Sequence, residues 1–337
     1  MLSRISIVFF FAVANCTPPA FSQTAPKPLG KLVDLGGHRL HVNCTGQGGP
    51  TIVVENGLGD FSFDWSLVQS RVSAFARICT YDRAGYAWSD PGPKPRSFVQ
   101  LNLELHDALS KLGESGPLVL VGHSYGGPVV RNFALTYPKE VAGIVFVDSA
   151  FEGERVGIGG KTTMRLGEDA KGKPIPPPRE NISPSDNPVL PPEIADQIKQ
   201  LAAHLDPLYE ILPKGDQKLQ LWAQAQPAMY DAENSQREWS SEIFALWLSR
   251  PQAGSLGSIP VIVVTRAEGA YRDGDTDIPS AQMEKERQDG QAMLASLSSN
   301  RKQIFIRSGH NMELESPPSV AAAIQEMVQA VRSQRHL

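Results

Sequence analysis

Three residues of this chain could share one chemistry: Ser124, Asp148 and His310. Ser124 stands in Gly122-His123-Ser124-Tyr125-Gly126-Gly127, after the apolar run Leu118-Val119-Leu120-Val121 and before Pro128-Val129-Val130-Arg131. A serine between a strand and a helix, with glycines two positions either side, fits the G-x-S-x-G turn. The glycines let strand and helix approach closely while the serine takes a strained conformation that lifts its hydroxyl clear of the sheet. A serine hydroxyl is a poor nucleophile until a neutral imidazole takes its proton and a carboxylate holds the ring. Of the seven histidines, His310 alone combines a strand end with a late position, after Gln303–Ile306. Asp148 ends the strand Ile144-Val145-Phe146-Val147. His123 beside the serine is expected to pack the turn. No HExxH or other close His/Asp cluster suggests a metal, and no cofactor is expected.

The elements that must position these residues follow a strand–helix rhythm. Leu32–Leu35 and Arg39–Asn43 flank Gly36-Gly37 and read as a hairpin. Thr51–Glu55 is a third strand, Arg77–Tyr81 a fourth, and a helix-like segment spans Phe61–Phe75 between them. Leu101, Leu105, Ala108, Leu109 and Leu112 form one face of a helix. The rhythm breaks after Phe151: residues 157–192 are rich in Gly and Pro, and helices are expected around Ile194–Leu212, Gln217–Gln226 and Arg237–Leu248. It resumes with Pro260–Thr265, a helix over Met283–Leu297, Gln303–Ile306 and a closing helix from Pro317 to about Val331. Short, uniformly apolar strands alternating with helices point to a parallel sheet covered on both faces. Such a sheet gathers its strand-end loops at one edge, which places Ser124, Asp148 and His310 together.

The chain has 337 residues, 41% hydrophobic and 20% charged, with a net charge of -4, which argues against nucleic acid and anionic membrane surfaces as partners. Residues 1–22 read as a secretory signal: Arg4, the apolar run Ile5–Ala14, then Ala20-Phe21-Ser22, too short for a membrane span. Export and release into a periplasmic or extracellular space is expected, in preference to a lipid anchor on Cys16, because Asn15 fits poorly before such a cysteine. Cys44 and Cys79 then remain, an even count that suggests a disulfide in an oxidising compartment.

The stretches PTIVVENGLG, YDRAGYAWSD, VGHSYGG, IVFVDSA and SGHNMELESP resemble those of α/β-hydrolase-fold serine hydrolases. The resemblance covers residues 30–150 and 257–332. It implies an α/β fold with a mostly parallel eight-stranded sheet, a core of residues 23–150 and 257–337, and a helical cap over 151–256 inserted after strand six. It implies oxyanion donors at the backbone N–H of Leu58 and of Tyr125. It also implies that strands two and four adjoin, so a Cys44–Cys79 bridge is feasible. Most members carry the acid after strand seven, where this chain offers Glu268 and Asp277 without a clean Gly-x-x-Asp. Asp148 matches the alternative position after strand six.

The expected activity is hydrolysis of a small carboxylic ester through acyl-Ser124, with an apolar acyl or alcohol portion suited to the cap's leucines and aromatics. Amide or iminopeptidase-like hydrolysis is an alternative and would use acidic cap residues such as Glu233 or Glu242. A binding protein with little turnover is another. Epoxide or haloalkane chemistry is disfavoured, because those relatives carry Asp where this chain has Ser124.

Overall fold

The computed structural model describes residues 25–159, 162–169, 172–173, 196, 198, 200, 203–250, 252–269 and 271–337. The signal expected over residues 1–22, and most of the helix expected from Ile194, lie outside them. The core elements are β1 (Lys31–Asp34), β2 (Arg39–Thr45), β3 (Thr51–Glu55), α1 (Ser66–Val72), β4 (Ile78–Tyr81), α2 (Phe98–Leu112), β5 (Leu118–His123), α3 (Gly126–Thr136) and β6 (Val141–Val147). The strands pair in the order β1-β2-β4-β3-β5-β6, followed by β9 (Val261–Arg266) and β10 (Arg301–Ile306), giving an eight-stranded sheet. Pairs β1/β2 and β2/β4 are antiparallel, and all others are parallel.

The central strands are buried along almost their whole length, and mostly apolar, because helices cover both faces. On one face Val53, Leu120, Phe146 and Val263 pack with Leu105 and Phe133; on the other Val54, Val121, Val145 and Val264 pack with Trp65 and Ile324. Helix α2 is capped as its sequence demands: Ser97 accepts from the Gln100 amide at 3.3 Å, and Gly113 closes it at φ +77°. Cys44 lies opposite Cys79 in the β2/β4 register, and the two form a disulfide.

Between β6 and β9 the chain builds its cap. The expectation of helices alone is corrected here: Arg155–Gly159 (β7) and Thr162–Arg165 (β8) form an antiparallel hairpin. Its strands are half-exposed, so no continuous apolar run announces them. Helix α4 is Lys214–Ala223, and α5 runs unbroken from Pro227 to Leu248, ten residues earlier than its apolar pattern begins. Pro227 suits a helix start. The early turns are fixed partly by polar contacts, as Ser235 Oγ accepts the Arg96 amide at 3.0 Å. Trp222, Trp239, Phe244 and Trp247 are buried, as their bulk requires. Helix α6 (Ser280–Ser296) follows β9, and α7 (Met312–Glu315) and α8 (Pro317–Ser333) close the chain.

Candidate active site

Strand β5 ends at His123, and the next residue turns sharply. Ser124 has φ +50°, in the left-handed region that a side chain seldom occupies. The glycines around it are required by contact. A Cβ on Gly122 would press on the Gly126 carbonyl and Val130, one on Gly126 on the Glu55 and Asn56 carbonyls, and one on Gly127 on Ser149. The turn is tied to β6 by hydrogen bonds from the Ser124 amide to Val147 O (3.2 Å) and from the Ala150 amide to Ser124 O (2.9 Å).

The edge of the sheet brings all three chemistry-bearing residues together. Ser124 Oγ lies 3.0 Å from His310 Nε2, and His310 Nδ1 lies 2.6 Å from Asp148 Oδ2. The other acids do not reach the ring. Asp277 is exposed and accepts from Thr163 Oγ1 at 2.7 Å, and Glu268 is exposed. The Asp148 side chain is fully buried, at φ +40°, while the His310 side chain remains 42% exposed.

Charges around this trio have identifiable causes. Burial alone would raise the Asp148 pKa, but the His310 hydrogen bond and the Arg287 guanidinium outweigh it and hold the carboxyl below its usual range. Arg287 also donates to Glu154 at 2.9 Å, and Arg266 stands 3.8 Å from Asp148. The Glu154 carboxyl is pushed up to about 7, by burial first and against the pull of Arg287. The His310 pKa is lowered: burial depresses it, Asp148 opposes that, and the nearby His123 and Arg287 reinforce it. The ring is therefore neutral near pH 7, the state in which it can accept a proton.

His123 does more than pack the turn. Its ring is buried, with Nδ1 3.2 Å from Asp60 Oδ2, Nε2 3.0 Å from the His310 carbonyl and Glu313 at 3.6 Å. Burial opposes its charge, yet the Glu313 and Asp60 carboxylates raise its pKa to about 9. Asp60, His123 and Glu313 place their ligating atoms within 4.8 Å of one another. Both ring nitrogens already face acceptors, so the cluster fits an imidazolium held by carboxylates better than a metal. The Cys44, Cys79 and Glu114 group is occupied by the disulfide.

The Leu58 and Tyr125 amides donate no hydrogen bond within the described residues. Leu58 follows β3, Tyr125 follows Ser124, and both pack in an apolar cluster with Phe98, Val129, Phe244 and Trp247. Glu233 in the cap is already paired with Arg237 at 3.1 Å. The Glu242 side chain lies outside the described positions. Sequence reading gave no role to Arg287, Asp60 or Glu313. The signal for Arg287 was present: with Met283, Gly290 and Leu294 it sits on the buried stripe of α6, an arginine where an apolar residue is expected.

Comparison with known proteins bears on the same architecture. The alpha/beta hydrolase family matches residues 52–323. The chain belongs to that family. It is 36% identical over 129 residues to "Probable transporter efuK" of Hormonema carpetanum, covering 36% of this chain and 18% of that one. The chain thus matches under a fifth of that relative's length, and 38% of the next, from Bacillus subtilis. Its fold resembles Cfl2 from Burkholderia cenocepacia (TM-score 0.62, 19% identity, 88% and 95% of the two chains). It also resembles a thermophilic esterase from Thermogutta terrifontis (TM-score 0.52, 18% identity, 89% and 97%). No helix among the described residues is long and apolar enough to cross a membrane.

Proposed function

We propose that this alpha/beta hydrolase cleaves carboxylic esters through an acyl-Ser124 intermediate. The observation that carries the reading is the continuous chain from Ser124 Oγ to His310 Nε2 and from His310 Nδ1 to Asp148 Oδ2, at 3.0 and 2.6 Å. In the acylation step Ser124 Oγ attacks the ester carbonyl while its proton passes to His310 Nε2. The Leu58 and Tyr125 amides receive the developing oxyanion, two donors each worth about 3 kcal/mol in such sites. His310 then protonates the leaving alkoxide, and the alcohol departs. In deacylation His310 takes a proton from water as its oxygen adds to the acyl carbon; the intermediate then collapses by breaking the bond to Ser124 Oγ, which takes the proton back from His310 as the carboxylic acid departs. Asp148 holds the ring with Nδ1 protonated and stabilises the imidazolium that forms twice per cycle.

Support for an apolar substrate portion comes from the half-buried Leu58, Leu166 and Ile243 at the border of the Phe98, Phe244 and Trp247 cluster. The Cys44–Cys79 bridge favours an oxidising compartment, consistent with export of the mature chain. The test is hydrolysis of p-nitrophenyl esters, acetate through decanoate, by the mature protein and by Ser124→Ala, alongside fluorophosphonate labelling. Turnover and labelling that both vanish in Ser124→Ala are expected. Labelling without turnover of any ester would move the assignment to amide substrates, and a wild type that neither labels nor cleaves would leave a binding protein.

A further inference from the structure

Arg83 lies in the loop after β4, away from Ser124 in sequence, and is 2% exposed. Burying a guanidinium costs several kcal/mol unless it is paired and fully hydrogen-bonded. Its carboxylate partner is Glu55, the last residue of β3, at 2.8 Å from Nη1; Tyr81 Oη donates to the other oxygen of Glu55. A buried arginine kept for an ion pair alone uses both arms of its fork on the carboxylate. Arg96 does this in the same molecule, with Nη1 and Nη2 on the two oxygens of Glu104 at 2.5 and 2.7 Å and only a longer Nη1 contact, 3.2 Å, to the Pro93 carbonyl. Arg83 does not. Nη1 is shared between Glu55 and the Asn56 carbonyl, at 2.8 and 2.9 Å, and Nη2 donates to the Gly57 carbonyl.

Those carbonyls belong to the loop that ends at Leu58. In a trans peptide the C=O and the following N–H point in opposite directions. Fixing the Gly57 carbonyl on Arg83 therefore points the Leu58 N–H from the opposite edge of that peptide, away from the guanidinium. The loop abuts the elbow itself, because the Glu55 and Asn56 carbonyls fill the place where a Gly126 Cβ would stand. The guanidinium carbon also lies 5.3 Å from the centre of the Tyr125 ring, and Tyr125 carries the second amide.

We propose that Arg83 is the positioning residue of the oxyanion hole, its guanidinium gripping the Asn56 and Gly57 carbonyls so that the Leu58 amide is held ready while its face braces Tyr125. This rests on the serine-hydrolase reading above. Glu55 balances the charge of Arg83 and makes none of the carbonyl contacts, so Arg83 acts through the peptide planes it aligns rather than through a net field.

The experiment compares Arg83→Lys with wild type on p-nitrophenyl butyrate and on an aryl trifluoromethyl ketone, which forms a tetrahedral adduct on the serine. Lysine keeps the charge and loses the fork. The expected result is a kcat about 10²-fold lower with KM within about threefold, the scale of one lost oxyanion donor. Ketone affinity should weaken by the same factor, while the acid limb of the pH profile stays in place. A folded Arg83→Lys with wild-type kcat overturns the proposal, as does a kcat loss with unchanged ketone affinity. If Arg83→Lys does not fold, Glu55→Gln decides: it removes the ion pair but leaves the carbonyl grip, and kcat should stay within about threefold. A 10²-fold loss there assigns the effect to the ion pair and overturns the grip. A wild type that is neither labelled by fluorophosphonate nor active removes the hydrolase reading itself, an outcome distinct from any of these.

Discussion

Two buried charge clusters flank His310, and they are built in opposite senses. On one side a carboxylate, Asp148, is ringed by Arg287, Arg266 and the imidazole itself. On the other side an imidazole, His123, is ringed by Asp60 and Glu313, with the buried Asp64 acting on the same carboxylates. The first cluster touches His310 through its side chain, and the second holds it by its backbone carbonyl. The contrast teaches a division of labour. On the hydrolase reading proposed above, the Asp148 cluster sets which nitrogen carries the proton, and the His123 cluster sets where the ring sits.

The comparison can be broken most forcefully at Asp148. Asp148→Asn should lower kcat by about 10³–10⁴-fold on p-nitrophenyl butyrate, because an amide no longer secures the productive tautomer. Asp277→Asn should leave turnover within about twofold. The reverse ranking would return the acid to the loop after β9.

Arg287→Met tests the cationic side at a lower level. Asp148 and Glu154 would lose their shared guanidinium, and urea unfolding should show a stability loss of about 3–5 kcal/mol, as for a broken buried pair. Arg287 depresses the His310 pKa, so its removal should also move the acid limb of kcat/KM to higher pH. An unmoved limb would separate Arg287 from catalysis.

His123→Gln tests the anionic side. A kcat loss of about tenfold is expected from a ring displaced but still correctly protonated, a misplacement being costly even far from the reacting atoms. Stability carries a clearer signature. The His123 pKa is about 9 in the folded chain against about 6.5 unfolded, so the folded state binds the extra proton between those values. Its contribution to stability is then full below about pH 6.5 and is lost as pH rises through 9. Thermal melts of wild type should decline across that window, with a shallower decline in His123→Gln; equal slopes would refute the buried imidazolium.

The disulfide supplies the mildest case for catalysis. It sits on β2 and β4, in neither cluster. Replacing Cys44 and Cys79 by serine should cost up to about 4 kcal/mol by loop entropy for a separation of 35 residues while kcat stays unchanged. Lost turnover in a folded double variant would connect that region to the site.

Legibility in the sequence followed the kind of force at work. Core strands such as Val261–Arg266 open on an unbroken apolar run, Val261 to Val264, and burial on both faces leaves little else they could be. The meeting of Ser124 and His310 was legible because both follow strand ends at one edge of the sheet. The β7/β8 hairpin was not, since a half-exposed ribbon moored to α6 by Arg155–Glu286 and Arg165–Glu286 pairs has no apolar period to read. The first turns of α5 were hidden for a similar reason: they bury Met229 and Ala232 against Trp88 and Trp222 but lean also on the polar Ser235, too short an apolar stripe to read. Arg83 and Arg287 act through partners distant in the chain, and spacing alone carries no sign of who those partners are.

The cap leaves the core just after Asp148, where Phe151 stacks its ring into the space above Gly290, and returns at Leu256, which packs in the core beside β9. Because β6 and β9 are adjacent strands, the whole excursion begins and ends at one seam of the sheet. Such a segment is a cassette. A change in its length leaves the pairing of β5, β6, β9 and β10 untouched, and with it the strand ends that carry Ser124, Asp148 and His310.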